Sequence, residues 1–393
     1  MLPLLLALLL AGNAAADLDA TLIRDASLTT PELIEAYGYP SQTHTVQTED
    51  GYILTLHRIP HGRSSNATGE PVFVQHGLLS SSADWVLTGP DHALAYILAD
   101  AGYDVWLGNF RGNTYSRQHV RYTADDNEFW NFSWNENGKF DLPAMIDYVL
   151  NYTGKEKLYY AGHSMGTTSF FVLNSLKPEY NDKIRLMFSL APIAFMNHVT
   201  SPFLKALAWS YEFDEILWDD LGLYKFFTNS AILKAAGEDL CEDGAVTQSV
   251  CSNILFLTVG FDTTNLNKTL LPVILAHTPA GAAAKQFLHY SQEVVSAHFR
   301  QWDYGLFSNI AHYGRTAPPD YDLSAVTAPV FLFYADNDWV SNIVDVTKLN
   351  ASLANPVTMY HVDWQPYNHL DYLWGIHSKE LVYDVMLKYM PNY

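Results

Sequence analysis

Leu158-Tyr159-Tyr160-Ala161-Gly162-His163-Ser164-Met165-Gly166-Thr167-Thr168-Ser169 is the stretch on which the reading of this chain turns. Residues 158–161 have strand character, and from Thr167 the pattern continues as a helix. A glycine-x-serine-x-glycine pattern alone is weakly specific. Set between a strand and a helix, it describes a sharp turn that holds one serine clear of the backbone in a strained conformation. Gly162 and Gly166 suit that turn because side chains there would collide across it. Ser164 is therefore the candidate nucleophile.

The same alternation runs outward from this turn. Strands are expected at 72–75, 104–107, 158–161 and 184–191, with helices at 91–100, 141–152 (capped by Asp141) and 167–175 between or after them. Near-continuous apolar strands between helices indicate a mostly parallel sheet covered on both faces. Ahead of it, Thr30-Pro31-Glu32-Leu33 opens a helix with proline in its first turn. Segments 43–46 and 52–59, joined at Asp50-Gly51, read as a hairpin. The rhythm breaks near Phe195 and resumes with a strand at 330–334, a helix through 353, a strand at 358–362 and a helix from 379. The expected architecture is thus an α/β-hydrolase fold: a core of 17–194 and 322–393, with a helical cap of 195–321 inserted.

Composition narrows the setting. The 393 residues are 49% hydrophobic, enough for a sizeable core. Forty-two acidic residues against 22 basic ones give a formal charge of −20, so no basic stripe exists to follow a phosphate backbone, and nucleic acid is excluded as a partner. Residues 1–16 carry a leucine-rich run ending in Ala14-Ala15-Ala16, which reads as a signal peptide even without a positive leader. No later stretch is long and apolar enough to span a bilayer. Five sequons, at Asn66, Asn131, Asn151, Asn267 and Asn350, fit export to a secreted or lysosomal location. The two cysteines, Cys241 and Cys251, most simply form one short disulfide in an oxidising compartment.

A serine hydroxyl needs a base, and the base needs an orienting acid. In this fold they follow the nucleophile in the order acid, then histidine, on loops after later strands. Asp336 and Asp338 both lie just past the strand 330–334, and spacing alone leaves them as alternatives. His369 lies in the loop after the last strand. His76 and His163 are read as loop-holding rather than catalytic. An oxyanion hole needs two backbone N–H donors. Met165 supplies one directly after the nucleophile, and Leu78, in His76-Gly77-Leu78-Leu79, is the candidate for the other. No metal or cofactor is called for.

These landmarks, with Gly38-Tyr39-Pro40, Thr48-Glu49-Asp50-Gly51-Tyr52, Gly108-Asn109-Phe110-Arg111-Gly112-Asn113-Thr114, Glu128-Phe129-Trp130, Asp141-Leu142-Pro143-Ala144, Asn337-Asp338 and Tyr367-Asn368-His369-Leu370-Asp371, resemble the acid lipases. That family includes gastric and lysosomal enzymes and many insect relatives. The likeness covers nearly the whole chain after the signal peptide. It implies a triad of Ser164, Asp338 and His369, so it favours Asp338 over Asp336. It implies Leu78 and Met165 as oxyanion donors, and a Cys241–Cys251 bond. It also implies a lid at roughly 219–260 over an apolar acyl site. The family usually has glutamine after the nucleophile, where this chain has Met165; a backbone donor tolerates that change. The activity implied is hydrolysis of neutral-lipid esters, triacylglycerol or cholesteryl ester, by a monomer at a lipid–water interface. A soluble carboxylesterase or acyltransferase, and a non-catalytic lipid carrier, are the rival readings.

Overall fold

The computed structural model describes residues 20–208, 224–226, 259–260, 262 and 264–393. The main sheet contains β1 (Gln42–Gln47), β2 (Tyr52–Ile59), β3 (Pro71–Gln75), β4 (Asp104–Gly108), β5 (Gln118–His119), β6 (Leu158–His163), β7 (Ile184–Leu190), β10 (Val330–Tyr334) and β11 (Pro356–His361). Two short strands, β8 (Lys225–Phe226) and β9 (Ala282–Ala283), pair separately. The main order is β1-β2-β4-β3-β6-β7-β10-β11, with β5 beside β2. β1, β2 and β4 pair antiparallel, whereas every pair from β4–β3 to β10–β11 is parallel. The mostly parallel sheet expected from the apolar runs is therefore present.

Alternation along each central strand supplies two cores. Phe73, Tyr160, Val330 and Leu332 join one, under the helices Leu142–Thr153 and Met165–Leu176. Val72, Val74, Ala161, Phe331 and Phe333 join the other, with the helix Leu94–Asp100 and the C-terminal residues Val382, Tyr383 and Met386. Period-two strand geometry makes this division, and helices cover both faces. Between β7 and β10 the described residues add no strand to the main sheet. They contribute the helices Leu271–His277, Ala284–Ser296 and Leu306–Tyr313. Leu266, Leu271, Val273 and Ile274 nevertheless pack into the second core.

One expectation needs correcting. The helix after Asp141 starts at Leu142 as foreseen, but Asp141 does not cap it; no side-chain cap bond is made. Its carboxylate is taken by Arg111, whose Nε lies 2.8 Å and Nη2 2.7 Å from Oδ1. The same guanidinium donates to both oxygens of Asp50, at 2.6 and 2.9 Å, and lies 3.9 Å from the centre of the Tyr52 ring. A planar donor fork facing two carboxylates explains why this residue is arginine. The cluster locks the β1–β2 turn to the loop after β4 and to the helix beneath β6. Arg111→Met should cost about 3–5 kcal/mol, because it strands a fully buried carboxylate. Urea denaturation measures it, and a loss under about 1 kcal/mol, the scale of an exposed ion pair, would show that the cluster does not carry this junction.

Candidate active site

Ser164 lies between β6 and the helix Met165–Leu176 with φ 52° and ψ −117°. A residue with a Cβ rarely adopts this geometry unless its surroundings enforce it. Its N–H donates to the Leu190 carbonyl on β7 at 3.1 Å, and its carbonyl accepts from the Thr167 N–H at 2.8 Å and the Thr167 hydroxyl at 2.6 Å. A Cβ at Gly166 would lie 2.3 Å from the Gln75 carbonyl oxygen, and one at Gly162 would lie 2.9 Å from the Gly166 carbonyl carbon. Both glycines are thus required by contact, as the sequence pattern anticipates.

The hydroxyl meets His369, with Nε2 at 2.8 Å from Oγ. The other ring nitrogen, Nδ1, lies 2.8 Å and 3.0 Å from the two oxygens of Asp338. An ionised carboxylate only accepts, so Nδ1 carries the proton and Nε2 is left to accept from the serine hydroxyl. Asp338 is itself fixed by the N–H groups of Val340 and Ser341, at 2.9 and 2.8 Å from Oδ1. All three side chains are buried. Asp336 points elsewhere: it is exposed and pairs with His361 Nε2 at 3.0 Å.

The remaining sequence candidates fall as follows. Met165 is the first residue of its helix, where a backbone N–H has no intrahelical acceptor and the helix dipole favours negative charge. Gly77 lies against the nucleophile: a Cβ there would be 3.0 Å from Ser164 Cβ. The half-buried Leu78 next to it is thereby carried to the same place. Neither His76 nor His163 reaches the serine hydroxyl. His76 Nε2 accepts from the Phe110 N–H and faces the Asn113 amide, both at 3.1 Å, and burial pushes its pKa down to about 4. His163 Nε2 donates to the His369 carbonyl at 2.8 Å, holding the loop that carries His369, and burial pushes the His163 pKa well down. Asn66, Asn131, Asn151 and Asn267 are exposed and Asn350 is half-buried. Residues 1–16, Cys241, Cys251 and most of 219–260 lie outside the described residues.

Two supporting features escaped the sequence reading. In Tyr367-Asn368-His369-Leu370-Asp371, the Asp371 carboxylate accepts from the Asn368 N–H at 2.7 Å, and the Asn368 side chain accepts from the Leu370 N–H at 2.8 Å. The asparagine–x–x–aspartate spacing was the available signal for this self-bonded turn. Gln286, on the helix Ala284–Ser296, donates to Asn137 at 2.8 Å and lies 3.4 Å from the Met165 sulfur. Nothing local in the sequence foretells that pairing.

A family model described as "alpha/beta hydrolase fold" matches residues 70–376, and one described as "Partial alpha/beta-hydrolase lipase region" matches residues 30–89. Lipase 3 of Drosophila melanogaster is 45% identical over 92% of this chain and 92% of its own length. Gastric triacylglycerol lipase of Rattus norvegicus is 41% identical, covering 94% of this chain and 93% of its own. Lysosomal acid lipase/cholesteryl ester hydrolase of Homo sapiens is 38% identical, covering 94% and 92%. The chain belongs to the acid lipase family. A solved structure from Sulfolobus solfataricus, covering 90% of this chain and 94% of its own, agrees with a TM-score of 0.59. At 16% identity, that likeness shows the α/β-hydrolase fold alone.

This acid lipase also buries carboxyl groups other than Asp338. Glu293, on the helix Ala284–Ser296, is buried, and neither of its oxygens has a hydrogen-bond partner among the described residues. Burial, reinforced by the Asp345 charge and opposed by Arg300, holds its pKa well above the usual carboxyl range. Burial likewise raises Asp84 to about 6. A carboxyl whose folded pKa is raised stabilises fully below its unfolded pKa, near 4.3 for glutamate, and loses that contribution as pH rises through the folded value. Glu293 should therefore pull the melting temperature down as pH rises from acidic to neutral, and Glu293→Gln should shift the slope of melting temperature against pH upward; equal slopes for the two proteins would refute the assignment. Among the aspartates, Asp338→Asn should cut kcat by about 10⁴, because it leaves His369 in the wrong tautomer. Asp336→Asn should have little effect. Steady-state kinetics on a soluble ester checks the ranking, and the reverse order would overturn it.

Proposed function

We propose that this acid lipase hydrolyses esters of neutral lipids, triacylglycerol or cholesteryl ester, through an acyl-enzyme on Ser164. The observation that carries the reading is the continuous hydrogen-bond path from the Ser164 hydroxyl through His369 to Asp338. His369 Nε2 takes the hydroxyl proton as Oγ forms its bond to the ester carbonyl carbon. Asp338 holds the ring and stabilises the imidazolium. The N–H groups of Leu78 and Met165 bind the oxyanion, and their fixed orientation needs no reorganisation during the reaction. As the ester C–O bond breaks, His369 returns the proton to the leaving alcohol. Water then repeats the sequence on the acyl-enzyme, releasing a fatty acid and regenerating Ser164. None of these steps calls on a metal or cofactor.

The rat and human relatives are named for triacylglycerol and for cholesteryl ester respectively, which supports this substrate class. Residues 195–321 form the cap in this reading, with a lid at about 219–260 carrying a Cys241–Cys251 bond. The protein acts as a secreted or lysosomal monomer, glycosylated at its sequons. A lipid carrier has no use for a complete proton relay, so it is the weaker reading. Activity on emulsified triolein, cholesteryl oleate and a short soluble ester, measured across pH, tests the proposal. Wild type should hydrolyse at least one emulsified long-chain ester, and Ser164→Ala should fold yet lose all ester hydrolysis by several orders of magnitude. Turnover confined to the soluble ester would make the protein an esterase, and near-wild-type activity in Ser164→Ala would sink the mechanism.

A further inference from the structure

The helix Leu306–Tyr313 presents large apolar side chains to water. Phe307 is 82% exposed, Leu306 56% and Ile310 48%, with Tyr304 at 37% just before the helix. Positions i, i+1 and i+4 share one side of a helix, so the three form a continuous ridge. The opposite side is anchored. Asn309 is buried, donates to Asp303 Oδ1 at 2.7 Å and to the Thr316 carbonyl at 3.0 Å, and accepts from the Tyr304 N–H at 2.9 Å. The Tyr304 ring stacks on His312 with centroids 3.9 Å apart. The ridge is therefore held in place before anything meets it.

Charge distinguishes this surface from the rest of the chain. Residues 304–319 contain no aspartate or glutamate, although the whole protein carries 42 acidic residues and a formal charge of −20. Arg315 is their only lysine or arginine. Beside the ridge, the Lys285 ammonium lies 5.6 Å from the centre of the Tyr304 ring. The flanking Asp303 is neutralised by Arg300 at 3.1 Å. Glu136 is the nearby carboxylate felt by Tyr304 and Tyr313, but the segment that carries the ridge has none of its own, which fits a lipid surface that gains negative charge as ester cleavage releases fatty acid. The ridge is also joined to the reaction site. Tyr313 Oη donates to the Trp302 carbonyl at 2.8 Å, and the Trp302 side chain belongs to the apolar cluster that contacts Leu78 and Leu79.

We propose that Leu306, Phe307 and Ile310 form a docking ridge that seats the protein on a lipid–water interface, next to the loop that carries Leu78. This rests on the lipase reading for the identity of the surface but not for its location. Taking each apolar side chain of this size out of water changes partitioning about tenfold or more. The test is flotation of the full-length protein with phosphatidylcholine vesicles, with and without added oleate, for wild type and the Leu306→Ser/Phe307→Ser/Ile310→Ser variant. Because all three side chains are exposed, the variant should keep wild-type melting and soluble-ester hydrolysis. Its floated fraction should fall about tenfold, and its triolein-emulsion activity should fall with it. Equal flotation of the two proteins would overturn the proposal. So would a wild-type dimer converted to monomer in the variant with flotation unchanged, which would make the ridge a contact between copies. Failure of wild type on all esters would sink the lipase reading, while flotation would still decide the ridge.

Discussion

The backbone of Ser164 is the constraint around which the rest of the molecule is arranged. Holding a non-glycine residue at φ 52° and ψ −117° costs on the order of 1–3 kcal/mol and persists only where neighbours over-determine it. Here three adjacent parallel strands do so. β7 clamps the serine N–H through Leu190, β6 delivers the serine, and β3 comes so close behind the turn that position 166 has no room for a Cβ. The arrangement requires β3, β6 and β7 to be neighbours. That neighbourhood places the loop after β3, with Gly77 and Leu78, beside the nucleophile. Because β4 lies on one side of β3 and β6 on the other, the Ser164 turn sits where the strand order reverses, the usual position for ligand sites in such sheets.

Much of this was legible in the chain because its signals are local. The hairpin, the strand at Val330–Tyr334 and the turn at Gly162–Gly166 are written in alternation, apolar runs and glycines that sterics demand. What depends on contacts between distant segments was not legible. Asp141 has the composition of a helix cap, yet an arginine thirty residues earlier claims its carboxylate. Asp336 and Asp338 are equivalent by spacing. They part only because the backbone N–H groups of Val340 and Ser341 turn the later side chain inward, while the earlier one stays outside with His361. The helix expected from residue 91 begins at Leu94, since the turn after Gly89 must close first.

The same distinction explains why the acid-lipase landmarks cluster as they do. Asp50, Arg111 and Asp141 fall in three separate motifs that look unrelated in sequence, and a single guanidinium joins them in space. Asn109, Asn113 and His76 likewise meet: Asn113 donates to Asn109 Oδ1 at 2.9 Å, and its amide nitrogen lies 3.1 Å from His76 Nε2. These six residues hold loops together rather than taking part in bond making. A motif set of this kind therefore reports a shared scaffold for the crevice more directly than it reports a substrate.

Met165 shows how that scaffold separates chemistry from side-chain identity. In the proposed mechanism Met165 acts through its backbone N–H, whose direction is set by the start of a helix and by the strained residue before it. Replacing the family's usual glutamine by methionine leaves that geometry in place, and the sulfur turns toward Gln286 while the side chain joins the buried core. Gln286 in turn donates to Asn137, and Asn137 donates to Asp141, so the helix Ala284–Ser296 is tied to the Arg111 cluster. That helix meets Met165 at its side chain, which the proposed mechanism does not use. Under the proposed mechanism, changes in the surrounding helices can then alter which ester fits without disturbing the backbone donors assigned to its transition state.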